Sequence, residues 1–191
     1  EIDSPKMVYG YDSFEGFPPV HHKNDKVNNF TKLIENGEIT ENHFYQYQSS
    51  KKIRDFIDGS EKDNADDISS SGNFSNTNKD LLQKKIKFLE LDNIILVDGS
   101  FDATMNDSYS IKPDKILGGI IDCDLYNSYK SSLDFFWPLL IETGELFLDE
   151  YYSIKFPGAM IAVNEFLKTS DATLLKHQIN SKDFLRYHLR K

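Results

Sequence analysis

The chain has 191 residues, 39% of them hydrophobic, and a formal net charge of −9. That length supports one sound hydrophobic core, and the negative charge argues against a nucleic-acid backbone as partner. Its apolar runs fall far short of the ~18 residues of a membrane span, no basic and then apolar leader opens it, and the sole cysteine, Cys123, excludes an internal disulfide.

A cytoplasmic single domain over 1–191, with no membrane partner, is the expectation. A strand is predicted over 6–11, ending at Asp12. The next stretch, Ser13-Phe-Glu-Gly-Phe-Pro-Pro19, reads as a turn, because Gly16 and two prolines resist regular structure. A short helix follows over 28–36, stopped by Gly37. Composition then shifts, and 49–76 reads as a flexible surface insertion, poor in large apolar residues.

A helix capped by Thr77 or Asn78 comes next, with Leu81, Leu82, Ile86 and Leu89 on one face. Asn93-Ile-Ile-Leu-Val97 lacks alternation, as a strand covered on both faces does. It ends in Asp98-Gly-Ser-Phe101, where the glycine either lets a flat ring approach or makes a tight turn.

Beyond Pro113 lies a strand over 116–123, then a helix over roughly 127–141 striped by Tyr126, Tyr129, Leu133, Phe136 and Leu140. Pro138 is expected to kink that helix and Gly144 to end it. A strand over 145–149, a helix opened by Pro157-Gly158 and two tail strands over 173–179 and 184–189 complete the chain. The order is that of an α/β fold, with a mostly parallel sheet and an antiparallel edge hairpin.

Ligands of such sheets bind at the carboxyl ends of the strands. Two neighbouring strands would present Asp122, Asp124, Asp149 and Glu150 to one crevice. Hard oxygen donors so grouped suit a magnesium or calcium ion, although Asp124 is also placed to cap the next helix. Asp12 ends its strand where an acid can accept two ribose hydroxyls, and Phe14 either covers a base or fills the core. His21-His22 lies near the crevice, without zinc spacing.

Five segments occur in register: Tyr9-Gly-Tyr-Asp-Ser-Phe-Glu-Gly-Phe-Pro18, Gly99-Ser-Phe-Asp-Ala-Thr104, Ile121-Asp-Cys-Asp-Leu-Tyr-Asn-Ser128, Leu148-Asp-Glu-Tyr151 and Pro157-Gly-Ala-Met-Ile-Ala-Val-Asn-Glu-Phe166. Together they resemble the macrocin O-methyltransferase family, class I enzymes with a Rossmann-like sheet that methylate sugar hydroxyls using S-adenosylmethionine and Mg2+. The resemblance implies that Asp12, with Ser13 and Phe14 beside it, binds the cofactor ribose. It implies that Gly99, Ser100 and Phe101 line the adenine pocket. Asp122, Asp149 and Glu150 would hold the metal, with Asp122 also beside the cofactor. Asp122 and Asp124 compete for the roles of first ligand and general base.

The chain departs from the family in three places. Asp149-Glu150 stands where two aspartates are usual, and Gly144-Glu145 where two glycines are. The first strand, central in the family's sheet, and its glycine-rich cofactor loop are not found, which leads to the expectation of an N-terminally truncated sequence. The implied partner is a sugar-like small molecule, and the sequence is compatible with a homo-oligomer. A silent Rossmann-like binding module that has lost the cofactor loop is the alternative.

Overall fold

A computed structural model describes residues 6–19, 21–58, 74, 76–177 and 185–191. In chain order the elements are β1 (Val8–Asp12), α1 (Asn29–Glu35), α2 (Glu41–Asp58), α3 (Lys79–Phe88), β2 (Ile94–Asp98), α4 (Phe101–Thr104), β3 (Ile116–Ile121), α5 (Tyr126–Leu139), β4 (Leu140–Leu148), α6 (Pro157–Leu167), β5 (Thr173–His177) and β6 (Arg186–Arg190). They fall into two compact units, residues 1–20 with 71–115 and residues 21–70 with 116–191.

In the first unit β1 and β2 pair in parallel, from Val8↔Ile94 to Asp12↔Asp98. The two strands therefore finish level, and the Gly99 N–H donates to the Asp12 carbonyl at 3.1 Å. Asn78 is the cap of α3, its side chain accepting from the Leu81 N–H at 2.9 Å. The apolar residues that share one face of α3 are not buried: the helix has no buried residue, and Leu89, just past its end, is 60% exposed. Nor is β2 covered on both faces, since only Val97 is buried. A good cap and helix-favouring residues form α3 locally, but a two-stranded ladder offers too little apolar face to cover it.

The second unit holds the larger core. Its sheet runs β3-β4-β6-β5, with β3 parallel to β4 and the remaining pairs antiparallel. The tail is the expected hairpin, and its last strand is the one that joins β4. Tyr129, Leu133 and Trp137 of α5 are buried in one cluster with Ala159, Met160 and Val163 of α6 and Leu146 and Leu148 of β4. The β1-β2 pair and the β3-β4-β6-β5 sheet are separate ladders.

Some boundaries move. α5 ends at Leu139, so Pro138 sits in its last turn and terminates it, where no kink is needed. β4 starts at once at Leu140, well before Glu145. Its register slips between the Ile116↔Leu140 and Gly118↔Glu145 pairs, and Thr143 has φ 67° there. Such a bulge resembles a helix stop in sequence because both use glycine near a turn of positive φ. Residues 49–58, expected within the insertion, are the second half of α2. Most of the remainder, residues 59–73 and 75, lies outside the described residues.

A buried acid joins the helices of this unit. Asp25, in a short 3-10 turn over Lys23–Asp25, is 4% exposed. Its Oδ1 accepts the Tyr126 N–H at 2.7 Å and its Oδ2 accepts the His22 N–H at 3.2 Å. It thereby satisfies a donor at the start of α5 that no neighbour in sequence caps. Burial pushes the Asp25 pKa up, against those two backbone hydrogen bonds. A Cβ on Gly158 would lie 2.1 Å from Asp25 Oδ1, so α6 reaches this place only with glycine there.

Gly158→Ala is therefore expected to destabilise the chain by ~1–3 kcal/mol through overpacking. Elsewhere in a helix the same change gains up to ~1 kcal/mol. Urea unfolding checks this, and equal or raised stability of the variant would contradict the placement of Asp25.

Candidate functional site

The β3–β4 ladder brings the acids together. Ile121 pairs with Leu148, and the Asp149 N–H donates to the Ile121 carbonyl at 3.0 Å, carrying the ladder one step past the strand end. Asp122 and Asp149 leave paired positions side by side, with Glu150 next in chain. One oxygen from each of Asp122, Asp149 and Glu150 lies within 4.8 Å of the others. Asp122 and Asp149 are exposed, whereas Glu150 is buried.

Glu150 is held in place by Tyr129. The Tyr129 hydroxyl lies 2.8 Å from Glu150 Oε2 and 3.1 Å from the Ile121 carbonyl, and it accepts the Glu150 N–H at 3.0 Å. The Asp124 N–H faces the same Oε2 at 3.4 Å. Burial pushes the Glu150 pKa up to about 8, the Tyr129 hydrogen bond opposes this, and Asp124, Asp149 and Asp122 add to the rise.

Asp124 occupies an unusual backbone position. Its φ is 59°, and the Leu125 N–H closes a turn onto the Cys123 carbonyl. That is the strained, rarer form of the γ-turn, which side chains other than glycine adopt at a cost. The capping role open to Asp124 in sequence is not taken up: the residue at the cap position of α5 is Leu125, with no side-chain cap bond, and Asp25 serves instead. Burial, then Asp122 and Asp149, push the Asp124 pKa up to about 6, with Lys155 opposing.

The donor set suits a hard cation. Mg2+ binds oxygens at about 2.0–2.1 Å, so its ligands lie roughly 3–4 Å apart, and Ca2+ tolerates wider spacing. A trio within 4.8 Å needs small side-chain movements to reach that geometry. A buried carboxylate beside other carboxylates needs a proton or a cation to be tolerated.

The residues expected to bind a nucleoside lie in the first unit, at the level ends of β1 and β2. Asp12 Oδ1 accepts the Phe14 N–H at 2.6 Å, and Phe14 itself has φ 54°. Ser13 Oγ contacts the Gly16 carbonyl at 3.4 Å. Gly99 has φ 141°, the left-handed half of the map that its place in the turn requires. Ser100 precedes α4, which begins at Phe101. The ends of β1 and β2 thus hold Asp12 level with the Gly99–Phe101 turn. His22 is structural: its Nδ1 accepts the Asn24 N–H at 3.2 Å, and its ring stacks on Tyr126 at 4.4 Å.

Sequence reasoning missed two residues here. The sequence marks Tyr129 only as part of an apolar stripe, although a tyrosine on a core face needs a partner for its hydroxyl. Asp25 shows locally only as a capping partner of the His22 N–H; its bond to the Tyr126 N–H, about a hundred residues on, gives no signal in sequence.

The fold has solved counterparts. The O-methyltransferase NovP matches with a TM-score of 0.63 at 17% identity, over 99% of this chain and 62% of that one. CalS11, a calicheamicin methyltransferase, matches with a TM-score of 0.58 at 18% identity, over 96% of this chain and 60% of that one. This chain has the Rossmann-like class I methyltransferase fold. It spans about three fifths of the length of either counterpart. No protein-family model matches it, and no curated protein matches it by sequence. Among the described residues, no helix is long and apolar enough to cross a membrane.

Within that fold Asp124 combines strain with crowding, so its charge is expected to cost stability. Asn tolerates positive φ as well as Asp does and carries no charge. Asp124→Asn is expected to stabilise the metal-free chain at pH 8 by ~1 kcal/mol, the equivalent of about one pKa unit. Urea unfolding in chelator measures this. A loss of stability would mean that the carboxylate has a favourable partner.

Proposed function

We propose that the chain belongs to an S-adenosylmethionine-dependent O-methyltransferase of the macrocin O-methyltransferase kind, assisted by Mg2+ and acting on a hydroxyl of a sugar-like small molecule. The observation that carries this reading is the convergence of Asp122, Asp149 and Glu150 at the carboxyl ends of adjacent parallel strands. It stands in a chain with the class I methyltransferase fold, whose counterparts include O-methyltransferases.

Each residue takes a role. Asp122, Asp149 and Glu150 would hold the ion through carboxylate oxygens, and the ion would supply positive charge that makes an acceptor hydroxyl more acidic. Asp124 receives that hydroxyl proton on its carboxylate, as a general base held apart from the ligands by its reversed turn. Asp12 accepts the ribose hydroxyls of the cofactor, and Ser13, Phe14 and Gly99 to Phe101 surround its nucleoside. The methyl donor would supply an electrophilic carbon, and the acids at the ends of β3 and β4 would hold the acceptor hydroxyl and take its proton. The net charge of −9 argues for a small-molecule acceptor over a nucleic acid.

The test is methyl transfer from labelled S-adenosylmethionine to a panel of nucleotide sugars. Transfer is expected with Mg2+, is expected to stop on adding a chelator, and is expected to fall by at least ~100-fold in Asp149→Asn or Asp124→Asn. Transfer that ignores both chelator and Asp149→Asn would overturn the metal assignment. Failure of the full-length protein to bind S-adenosylhomocysteine would overturn the methyltransferase reading.

A further inference from the structure

We infer that Tyr129 is a positioning residue for the cation site, acting through Glu150. The inference rests on the metal reading above. The Tyr129 hydroxyl joins the two strand ends that carry the ligands: it is 3.1 Å from the Ile121 carbonyl, just before Asp122, and is bonded to both the N–H and Oε2 of Glu150.

Tyr129 is fully buried, so the hydroxyl has no water to fall back on. It carries a single proton. When Glu150 is ionised, the shorter contact, 2.8 Å to Oε2, takes that proton as a charge-assisted hydrogen bond. The Asp124 N–H approaches the same Oε2. One oxygen of Glu150 is thus occupied by the protein, and the carboxylate is left to meet an ion through the other.

The first turns of α5 make this arrangement. Tyr129 N–H bonds the Leu125 carbonyl, which fixes the ring one turn into the helix and points its hydroxyl back at the end of β3. Groups that orient a metal ligand this way commonly change metal affinity by about 10–100-fold when removed.

The experiment uses Mn2+, a hard divalent ion with a resolvable free-ion EPR signal. The 191-residue chain, Asp149→Asn, Tyr129→Phe, Glu150→Gln and the double variant Tyr129→Phe with Glu150→Gln are titrated. The chain itself is expected to bind and Asp149→Asn to lose binding. Tyr129→Phe is expected to bind about tenfold more weakly. In the Glu150→Gln background, adding Tyr129→Phe is expected to change affinity by less than about twofold, because the group it acts through is already altered. An equal loss in both backgrounds would assign Tyr129 a general structural role and overturn the inference. So would unchanged affinity in Tyr129→Phe, while leaving the metal reading intact. No binding by the unaltered chain would overturn both.

A second measurement does not depend on a variant folding. In the isotope-labelled chain titrated with Mg2+, the Tyr129 Cζ resonance is expected to move with the same midpoint as the Glu150 Cδ resonance. A Tyr129 resonance that ignores the ion contradicts the inference.

Discussion

Parallel pairing of β3 with β4 brings negative charges into a place where they repel. With Ile121 opposite Leu148, the residues that follow are acids on both strands, and the Asp149 N–H bond to the Ile121 carbonyl holds the two chains together one step beyond the sheet. Register in such a ladder is set by the apolar side chains it buries, here Ile121, Leu146 and Leu148. A slip of one residue would turn those side chains out of the core. The burial of apolar surface thus fixes where the carboxylates stand, and their mutual repulsion has to be met by other means.

The means are local and few. Tyr129 and the Asp124 backbone hold Glu150, and Asp124 itself sits in a reversed turn that keeps the chain from running straight into α5. A helix N-terminus next to these acids needs its donors satisfied, and Asp25 reaches in from a distant turn to do so. Gly158 leaves room for that carboxylate. Helix capping and the acidic cluster thus both draw on the first turn of α5, through Tyr126 and Tyr129. Strain and crowding of this kind are tolerated where a function uses them.

Much of this was legible in the sequence for identifiable reasons. The runs Ile116–Ile121 and Glu145–Leu148, the stripe on α5 and the Pro157-Gly158 opening each follow from the periodicity of burial or from backbone restrictions. The grouping of Asp122, Asp124, Asp149 and Glu150 followed once the strands were taken as parallel neighbours, and the family resemblance singled out the three whose oxygens meet within 4.8 Å. What could not be read depends on partners far away in the chain. Asp25 has a local bond from the His22 N–H, but its capping of α5 exists only where Tyr126 and Gly158 meet it. The early start of β4 depends on a bulge opposite β3. The bare apolar face of α3 was invisible because a sequence stripe reports what could be covered, not what covers it.

The central claim is that Asp122, Asp149 and Glu150 form one cation site. A crystal of the chain grown or soaked with Mn2+ tests it directly through anomalous scattering. The account predicts a peak at about 2.2 Å from carboxylate oxygens of all three residues, with Tyr129 still bonded to Glu150. A map with no peak there, or with the three side chains turned apart onto separate backbone partners, would contradict it.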